Sequence, residues 1–148
     1  MLGVDYVCFG NHENDIPLDE LRLRIAEFKG KWINSNMPDW TPALPEYAVF
    51  DITSGGKCKK IGLLGLNTID KNLYQQGAFG GAMATALPVI DTARNLRKKL
   101  VEQLGCDLVI PMTHQVIPST LHPTPYTPYT RRPTPWRDPT PCAIHPMP

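Results

Sequence analysis

The sequence changes character at residue 117, and this change limits the part of the chain that can form a packed core. Ten of the 16 prolines lie in residues 117–148, with threonine and tyrosine between many of them. A segment with so few apolar residues cannot bury enough surface to offset the conformational entropy that folding removes. We therefore expect one folded domain over residues 1–116 and a disordered Pro/Thr-rich tail over residues 117–148.

The tail also allows a different interpretation of the whole chain. Its Pro-Tyr-Thr-Pro and Pro-Thr-Pro segments favour the polyproline II conformation that SH3 and WW domains recognise. In this alternative, the chain is a noncatalytic interaction protein that acts through its tail. Disorder, or a shifted reading frame, would give the same composition, so we do not expect an SH3- or WW-type partner.

Composition and charge argue against several function classes. The formal net charge of +1 gives no electrostatic footprint for nucleic acid or for an anionic membrane surface, so neither is an expected partner. The sequence has no apolar run of about 18 residues, and residues 1–5 lack the pattern of a signal peptide. A cytoplasmic location is therefore slightly favoured. The four cysteines form no Cys-x-x-Cys pair, which argues against a zinc knuckle.

The first 116 residues alternate strand-like and helix-like patterns, which is typical of an α/β fold. Apolar residues at helical spacing predict helices over about residues 18–28 and 88–104. Two apolar runs flanking Gly55-Gly56 predict a β-hairpin, and residues 107–114 predict a buried strand. Such an alternation predicts a sheet covered by helices, with ligands bound at the carboxyl ends of strands.

Residues 68–87 show no clear periodicity and contain three glycines. A segment of this length without regular structure is more often functional or mobile than structural. We expect it to form a loop near the mouth of a site.

A polar turn follows the first apolar run. Residues 4–9 predict a buried strand, and Gly10-Asn11-His12-Glu13 follows it directly. The amide oxygen of Asn11 can ligate a hard cation, while the imidazole of His12 can face a phosphate and exchange protons near neutral pH. The carboxylate of Asp15 can orient that imidazole. Taken alone, the same turn is equally compatible with an ordinary polar loop.

Two further motifs favour the functional interpretation of this turn. Asn34-Ser35-Asn36 follows the first predicted helix, and Met112-Thr113-His114-Gln115 closes the last apolar run. In their order and spacing, the three motifs resemble those of the calcineurin-like metallophosphoesterases and, within them, the 5′-nucleotidase branch. The resemblance covers about residues 1–115. It implies part of a metallophosphoesterase sandwich, in which mixed sheets are flanked by helices.

The resemblance also implies roles for individual residues. The family holds two divalent ions, which can be Mn, Zn, Mg or Fe, and hydrolyses phosphate esters such as nucleotides. By this resemblance, Asn11 and His114 would ligate metal. Asn36 would either line the site and contact substrate or cap a loop. His12 would act in catalysis as a proton donor or transition-state stabiliser, oriented by Asp15.

Several expected motifs of the family do not occur in this sequence. The Asp-x-His and Gly-Asp motifs that precede Gly-Asn-His in the family are absent, and so is the later Gly-His-x-His motif. A two-metal centre needs a bridging carboxylate and enough ligands to replace the water around both ions. We therefore expect an incomplete and inactive fragment of a metal-dependent phosphoesterase, or a gene model with misread ends.

Overall fold

The computed structural model describes residues 3–115, which form a mixed α/β fold with two sheets. In the smaller sheet, β1 and β2 are parallel; in the larger sheet, the order is β3-β4-β5, with β3 antiparallel and β5 parallel to β4. The strands are β1 (Tyr6–Cys8), β2 (Lys31–Ile33), β3 (Tyr47–Ser54), β4 (Lys57–Asn67) and β5 (Leu108–His114). The predicted α/β class is confirmed for these residues. The predicted tail, residues 117–148, lies outside them.

Two α-helices connect the strands, as the apolar spacing predicts. They are α1 (Leu18–Glu27) and α2 (Val89–Glu102). Short 3-10 helices occupy His12–Asp15, Lys71–Leu73 and Ala78–Thr85. No helix within residues 3–115 has the length and hydrophobicity needed to cross a bilayer.

The predicted hairpin is confirmed, and its turn explains why it forms there. Gly55 and Gly56 adopt φ values of 57° and 72°, a left-handed conformation that residues with a Cβ atom rarely adopt. This turn sets the register in which Ser54 lies opposite Lys57 and Tyr47 lies opposite Leu64. The hairpin therefore pairs β3 with one edge of β4, and β5 on the other edge makes β4 the central strand.

The core consists of two clusters of buried side chains. One lies between α2 and β4 and contains Leu64, Leu66, Leu96, Leu100 and Cys106. The other is rich in aromatic rings and contains Phe9, Leu21, Met37, Trp40, Ala78, Phe79 and Ala82. The second cluster packs directly behind the turn that follows β1. Burial of these rings therefore holds that turn in place.

The two sheets meet at Gly65 of β4. A Cβ atom at this position would lie 2.2 Å from the carbonyl oxygen of Ile33 and 2.8 Å from Cβ of Cys8. Ser35 joins the sheets at the same point: its N–H donates to the Gly65 carbonyl at 2.8 Å, and its hydroxyl accepts from the Gly65 N–H at 2.9 Å. Glycine at residue 65 therefore permits the close approach of the two sheets.

The structure corrects the sequence-based expectations in two places. Strand β5 was predicted to be buried, but Leu108 and Ile110 are 52% and 42% exposed. Val109 packs towards the α2 cluster on one face of β5. On the opposite face Met112 is half-buried beside β1, whereas Leu108 and Ile110 stay exposed among the described residues.

The second correction concerns the packing of residues 68–87, a predicted loop whose sequence favoured a functional or mobile role over a structural one. The segment contains two 3-10 helices, and Ala78, Phe79 and Ala82 are at most 5% exposed. It closes the aromatic core cluster because its apolar side chains fall on one side of a compact, glycine-rich turn. The segment is therefore structural as well as adjacent to the candidate site.

Candidate functional site

The turn after β1 and the end of β5 form a single cleft of about 360 Å³. Asn11, His12 and His114, which the sequence places in two distant motifs, all line it. Cys8, Phe9, Gly10, Glu13 and Thr113 complete its wall. We call this space the histidine cleft. The structure thus brings these three residues to one cleft, while their roles in metal binding and catalysis stay predictions.

Gly10 allows the turn to approach the last strand. A Cβ atom at residue 10 would lie 3.4 Å from Cγ of His114 and 3.1 Å from Oε2 of Glu13, which is tighter than most side-chain contacts. The Gly10 N–H donates to Glu13 Oε2 at 2.5 Å, and this bond closes the turn. Glu13 therefore supports the backbone, and a larger residue at position 10 would push the turn away from the His114 ring.

His12 and Asp15 form the pair that the sequence predicts. Nδ1 of His12 lies 2.7 Å from Oδ2 of Asp15, and both side chains are mostly exposed, at 80% and 65%. The hydrogen bond to Asp15, together with the charge of its carboxylate, raises the pKa of His12. The imidazole thus keeps its proton to a higher pH than an isolated histidine would. Nε2 is the ring nitrogen that remains free of Asp15.

Cys8 brings a thiol to the inner wall of the cleft. Its Sγ lies 3.8 Å from the Met112 carbonyl oxygen, to which it can donate a weak hydrogen bond. Burial raises the pKa of Cys8, and the negative charge of Glu13 raises it further. Since the thiolate is the form that binds metal, Cys8 is poorly suited to ligate a cation near neutral pH.

The residues of the cleft do not by themselves fit a two-metal centre. Within residues 3–115, no three His, Cys, Asp or Glu side chains are grouped so that they could hold a metal ion. Asn11 and His114 offer one amide oxygen and one imidazole, and Glu13 is already bonded to the Gly10 N–H. A bridging carboxylate for two ions is therefore missing from this set.

Asn36, the predicted substrate-binding residue, lies elsewhere. Its side chain is 0% exposed, and it is not among the residues that line the histidine cleft. The amide nitrogen donates to the carbonyl oxygens of Asn67 and Leu87, and the amide oxygen accepts from the Asn67 N–H at 2.9 Å. Asn36 thus pairs with the end of β4 as a neighbouring strand would. Its contact with substrate stays a prediction, and these bonds give it a structural role.

The sequence analysis gave no role to Asn14, which lies beside the histidine cleft in the same turn as His12. Oδ1 of Asn14 accepts the backbone N–H of Phe79 at 2.8 Å, which ties the His12–Asp15 turn to the glycine-rich segment. Phe79 has a positive φ of 55° while its side chain is only 3% exposed. Such a conformation is costly for a residue with a side chain and persists where the surroundings enforce it. The glycines around residue 79 were the only sequence signal for this unusual backbone.

Comparison with known proteins gives no assignment for this chain. No protein-family model matches the sequence, and no curated protein is significantly similar to it. The interpretation of the histidine cleft therefore rests on its residues and their geometry.

Proposed function

We propose that this chain is part of a calcineurin-like phosphoesterase and that the histidine cleft receives the phosphate of a phosphate ester, such as a nucleotide. One observation carries the proposal. Asn11 and His12 after β1 and His114 at the end of β5 line the same cleft, and His12 is bonded to Asp15. Asn11, His12 and Asp15 come from one turn, so the informative contact is the non-local one that brings His114 to this turn.

The geometry of His12 suits proton transfer to a leaving oxygen. Because Nδ1 donates to Asp15, Nε2 is the nitrogen from which a proton can pass to substrate. The raised pKa favours the protonated ring, which both attracts a phosphate and supplies the proton that an alkoxide leaving group needs. Asp15 fixes the tautomer and the ring orientation. His12 is thus the proposed general acid.

Metal ions remain part of the proposed family chemistry, but we assign them no step here. Asn11 and His114 supply too few ligands for two ions, so a complete centre needs ligands from outside residues 3–115. Residues 3–115 would provide the general acid and part of the phosphate-binding surface. Consistent with this, we propose that the chain binds phosphate but turns over phosphate esters slowly or not at all by itself.

The proposal is tested by titrating the full chain with inorganic phosphate while the histidine ring protons are followed by NMR. We expect the signals of His12 and His114 to shift together and saturate, and the shift of His114 to weaken in His12→Ala. Hydrolysis of an aryl phosphate and a nucleoside monophosphate is measured in parallel with manganese, zinc or magnesium, using wild type and His12→Ala.

Two results would decide the matter. Turnover that His12→Ala abolishes would support the proposed site and show that the chain is more complete than we propose. A folded sample in which phosphate shifts neither His12 nor His114, and which shows no turnover, would overturn the proposal.

A further inference from the structure

Asn67 carries a buried hydrogen-bond donor that the fold leaves unused. Its side chain, at the end of β4, is only 2% exposed, and its Nδ2 has no hydrogen-bond partner among residues 3–115. The backbone N–H and carbonyl of the same residue pair with the Asn36 amide, so that structural contact does not use the Asn67 side chain. Buried amides are nearly always paired, and an unpaired one in a native structure requires an explanation. Nδ2 of Asn67 is therefore available for an interaction that a nearby side chain can complete.

The Tyr74 hydroxyl fixes the orientation of the Asn67 amide, because it donates to Oδ1 of Asn67 at 3.0 Å. Burial raises the pKa of Tyr74, so the hydroxyl keeps the proton with which it donates. The Tyr74 ring packs edge-on against the buried ring of Phe79, with centroids 5.9 Å apart, and this contact holds the hydroxyl in place. Since Oδ1 is occupied, the end of the amide that remains free is a donor and not an acceptor.

His114 is the residue directly opposite Asn67 in the register of β4 and β5. Side chains of such partners stand on the same face of a sheet, on strands about 4.8 Å apart. His114 is exposed and lines the histidine cleft, so its ring can turn, whereas the Asn67 amide is held by Tyr74. Rotation of the His114 ring brings one of its nitrogens towards Nδ2 of Asn67. Hydrogen bonds at active sites commonly tighten in this way when a ligand binds.

We propose that Asn67 is a positioning residue for His114 and makes the His114 imidazole a hydrogen-bond donor to the phosphate in the histidine cleft. This inference rests on the function proposed above and assigns His114 its part in it. A neutral imidazole has one nitrogen with a proton and one without. Nδ2 of Asn67 can donate only to the nitrogen that lacks a proton. The other nitrogen therefore carries the proton and presents it to the cleft.

The orientation of the Asn67 amide argues against the metal-binding role that the family resemblance implies for His114. A histidine that ligates a metal uses one nitrogen for the ion and donates its other N–H to an acceptor such as a carboxylate or a carbonyl oxygen. Asn67 offers a donor at this position, and it would offer an acceptor only after a flip that gives up the bond from Tyr74. The arrangement of Tyr74, Asn67 and His114 therefore suits a phosphate oxygen at His114 better than a cation.

The inference is tested on the full chain without phosphate, from the ¹⁵N signals of the His114 ring, which distinguish the two tautomers of a neutral imidazole. The spectra are recorded at a pH high enough to keep the ring neutral, and the signals are assigned with His114→Gln. We expect one tautomer in wild type and the opposite one in Asn67→Asp, because carboxylate oxygens only accept and the ring nitrogen facing residue 67 must then carry the proton. Gln76→Glu adds the same charge at an exposed residue that does not line the histidine cleft, and it should keep the wild-type tautomer.

A second variant tests the same interaction with little risk to the fold. Tyr74→Phe removes only a hydroxyl from a half-buried ring and leaves the Asn67 amide free to adopt either orientation. We therefore expect a mixture of both His114 tautomers in Tyr74→Phe, and this variant decides alone if Asn67→Asp does not fold. The same single tautomer in wild type and in every folded variant would overturn the inference, and it is the result expected if a buried water pairs with Nδ2.

Phosphate titration separates this inference from the function on which it rests. We expect Asn67→Asp to weaken phosphate binding at least about tenfold, because an N–H donor to a charged group is lost, while Gln76→Glu binds as wild type does. A tautomer that follows residue 67 in a chain that binds no phosphate would support Asn67 as the positioning residue and overturn the proposed function. Phosphate binding that Asn67→Asp leaves unchanged would retain the proposed function and overturn the donor role of His114.

Discussion

Replacing Gly65 by alanine should destabilise the protein far more than the same change at Gly62, three residues earlier in β4. At Gly65 the new Cβ atom would lie 2.2 Å from the carbonyl oxygen of Ile33. This oxygen belongs to the backbone of β2, so the contact can be relieved only by moving β2 and β4 apart. At Gly62 the nearest atom is Cδ1 of Leu100 at 2.9 Å, which is the end of a buried side chain and not part of a backbone. Neither glycine has a positive φ, so both alanines are conformationally acceptable.

The magnitude follows from the contacts that must change. Relieving the contact at Gly65 requires the two sheets to separate by about 1 Å, and overpacking of a core typically costs about 1–3 kcal/mol. The same movement strains the two hydrogen bonds between Ser35 and Gly65, each worth about 1 kcal/mol. Lower entropy of the unfolded chain returns about 0.4–1 kcal/mol. We expect a net loss of about 3–4 kcal/mol for Gly65→Ala and about 1–2 kcal/mol for Gly62→Ala, which overpacks the core at Leu100 but strains no hydrogen bond between the sheets.

Urea unfolding followed by far-UV circular dichroism measures both values. Because native domains are stable by only about 5–15 kcal/mol, the expected loss at Gly65 should move the midpoint strongly or leave the variant partly unfolded in buffer. Similar midpoints and slopes for the two variants would refute the reasoning. That result would mean that the two sheets are not packed against each other as closely as described.

Three further changes are expected to have defined effects. Asp15→Asn removes the main cause of the raised His12 pKa, so the pKa, measured by NMR titration of the ring, should fall towards its ordinary value. Asn36→Ala leaves buried backbone groups of Asn67 without partners and should lower the free energy of unfolding by about 2–4 kcal/mol in urea. The hydrogen bond from Lys59 lowers the pKa of Asp107, so the ionised carboxylate stabilises the fold at pH values above about 4, the pKa of an unfolded aspartate, and this contribution is lost as the pH falls through the lowered pKa. Asp107→Asn should therefore cost at most about 1 kcal/mol at pH 7 and make the stability of the protein less sensitive to acid.

Each of these expectations has an outcome that contradicts it. An unchanged His12 pKa in Asp15→Asn would mean that the pair does not form in solution. The His12–Asp15 pair stabilises the fold fully at pH values below the ordinary pKa of histidine, and this contribution is lost as the pH rises through the raised pKa of His12. Its effect on stability must therefore be measured at a pH below that ordinary pKa. Wild-type stability of Asn36→Ala would show that water replaces the amide. An equal loss of stability between pH 7 and pH 3 in wild type and Asp107→Asn would exclude a role for Asp107 in acid unfolding.

The secondary structure could be predicted from the sequence where the signal was local. The hairpin follows from Gly55-Gly56, and α2 follows from a strong apolar stripe that ends before Gly105, which has a positive φ of 69°. The burial of β5 could not be predicted in the same way. An apolar run shows that a strand can be buried on both faces but does not show whether an element is present to cover each face.

The candidate site was predictable in part for a similar reason. The sequence could place a polar turn after β1 and a histidine at the end of β5, each at a strand end where ligands bind. It could not show that these two ends meet, because β1 and β5 belong to different sheets. The interactions of Asn14 and Asn36 were not predictable, because each joins segments separated by 30 residues or more. An asparagine side chain that replaces a strand partner leaves no periodic pattern in the sequence. Its role becomes apparent only when the partner is known.

The contact tested at Gly65 also determines the geometry of the histidine cleft. Gly65 lies opposite Met112 in the register of β4 and β5, and the Cys8 thiol faces the Met112 carbonyl oxygen. Since Cys8 lies two residues before Gly10, a shift of β1 away from Gly65 must also move the turn that carries His12 away from His114. Phosphate binding should therefore weaken in Gly65→Ala even where the variant is still folded. In Gly62→Ala, whose new methyl faces Leu100 on the α2 side, the two histidines should keep their positions and phosphate binding should be unchanged.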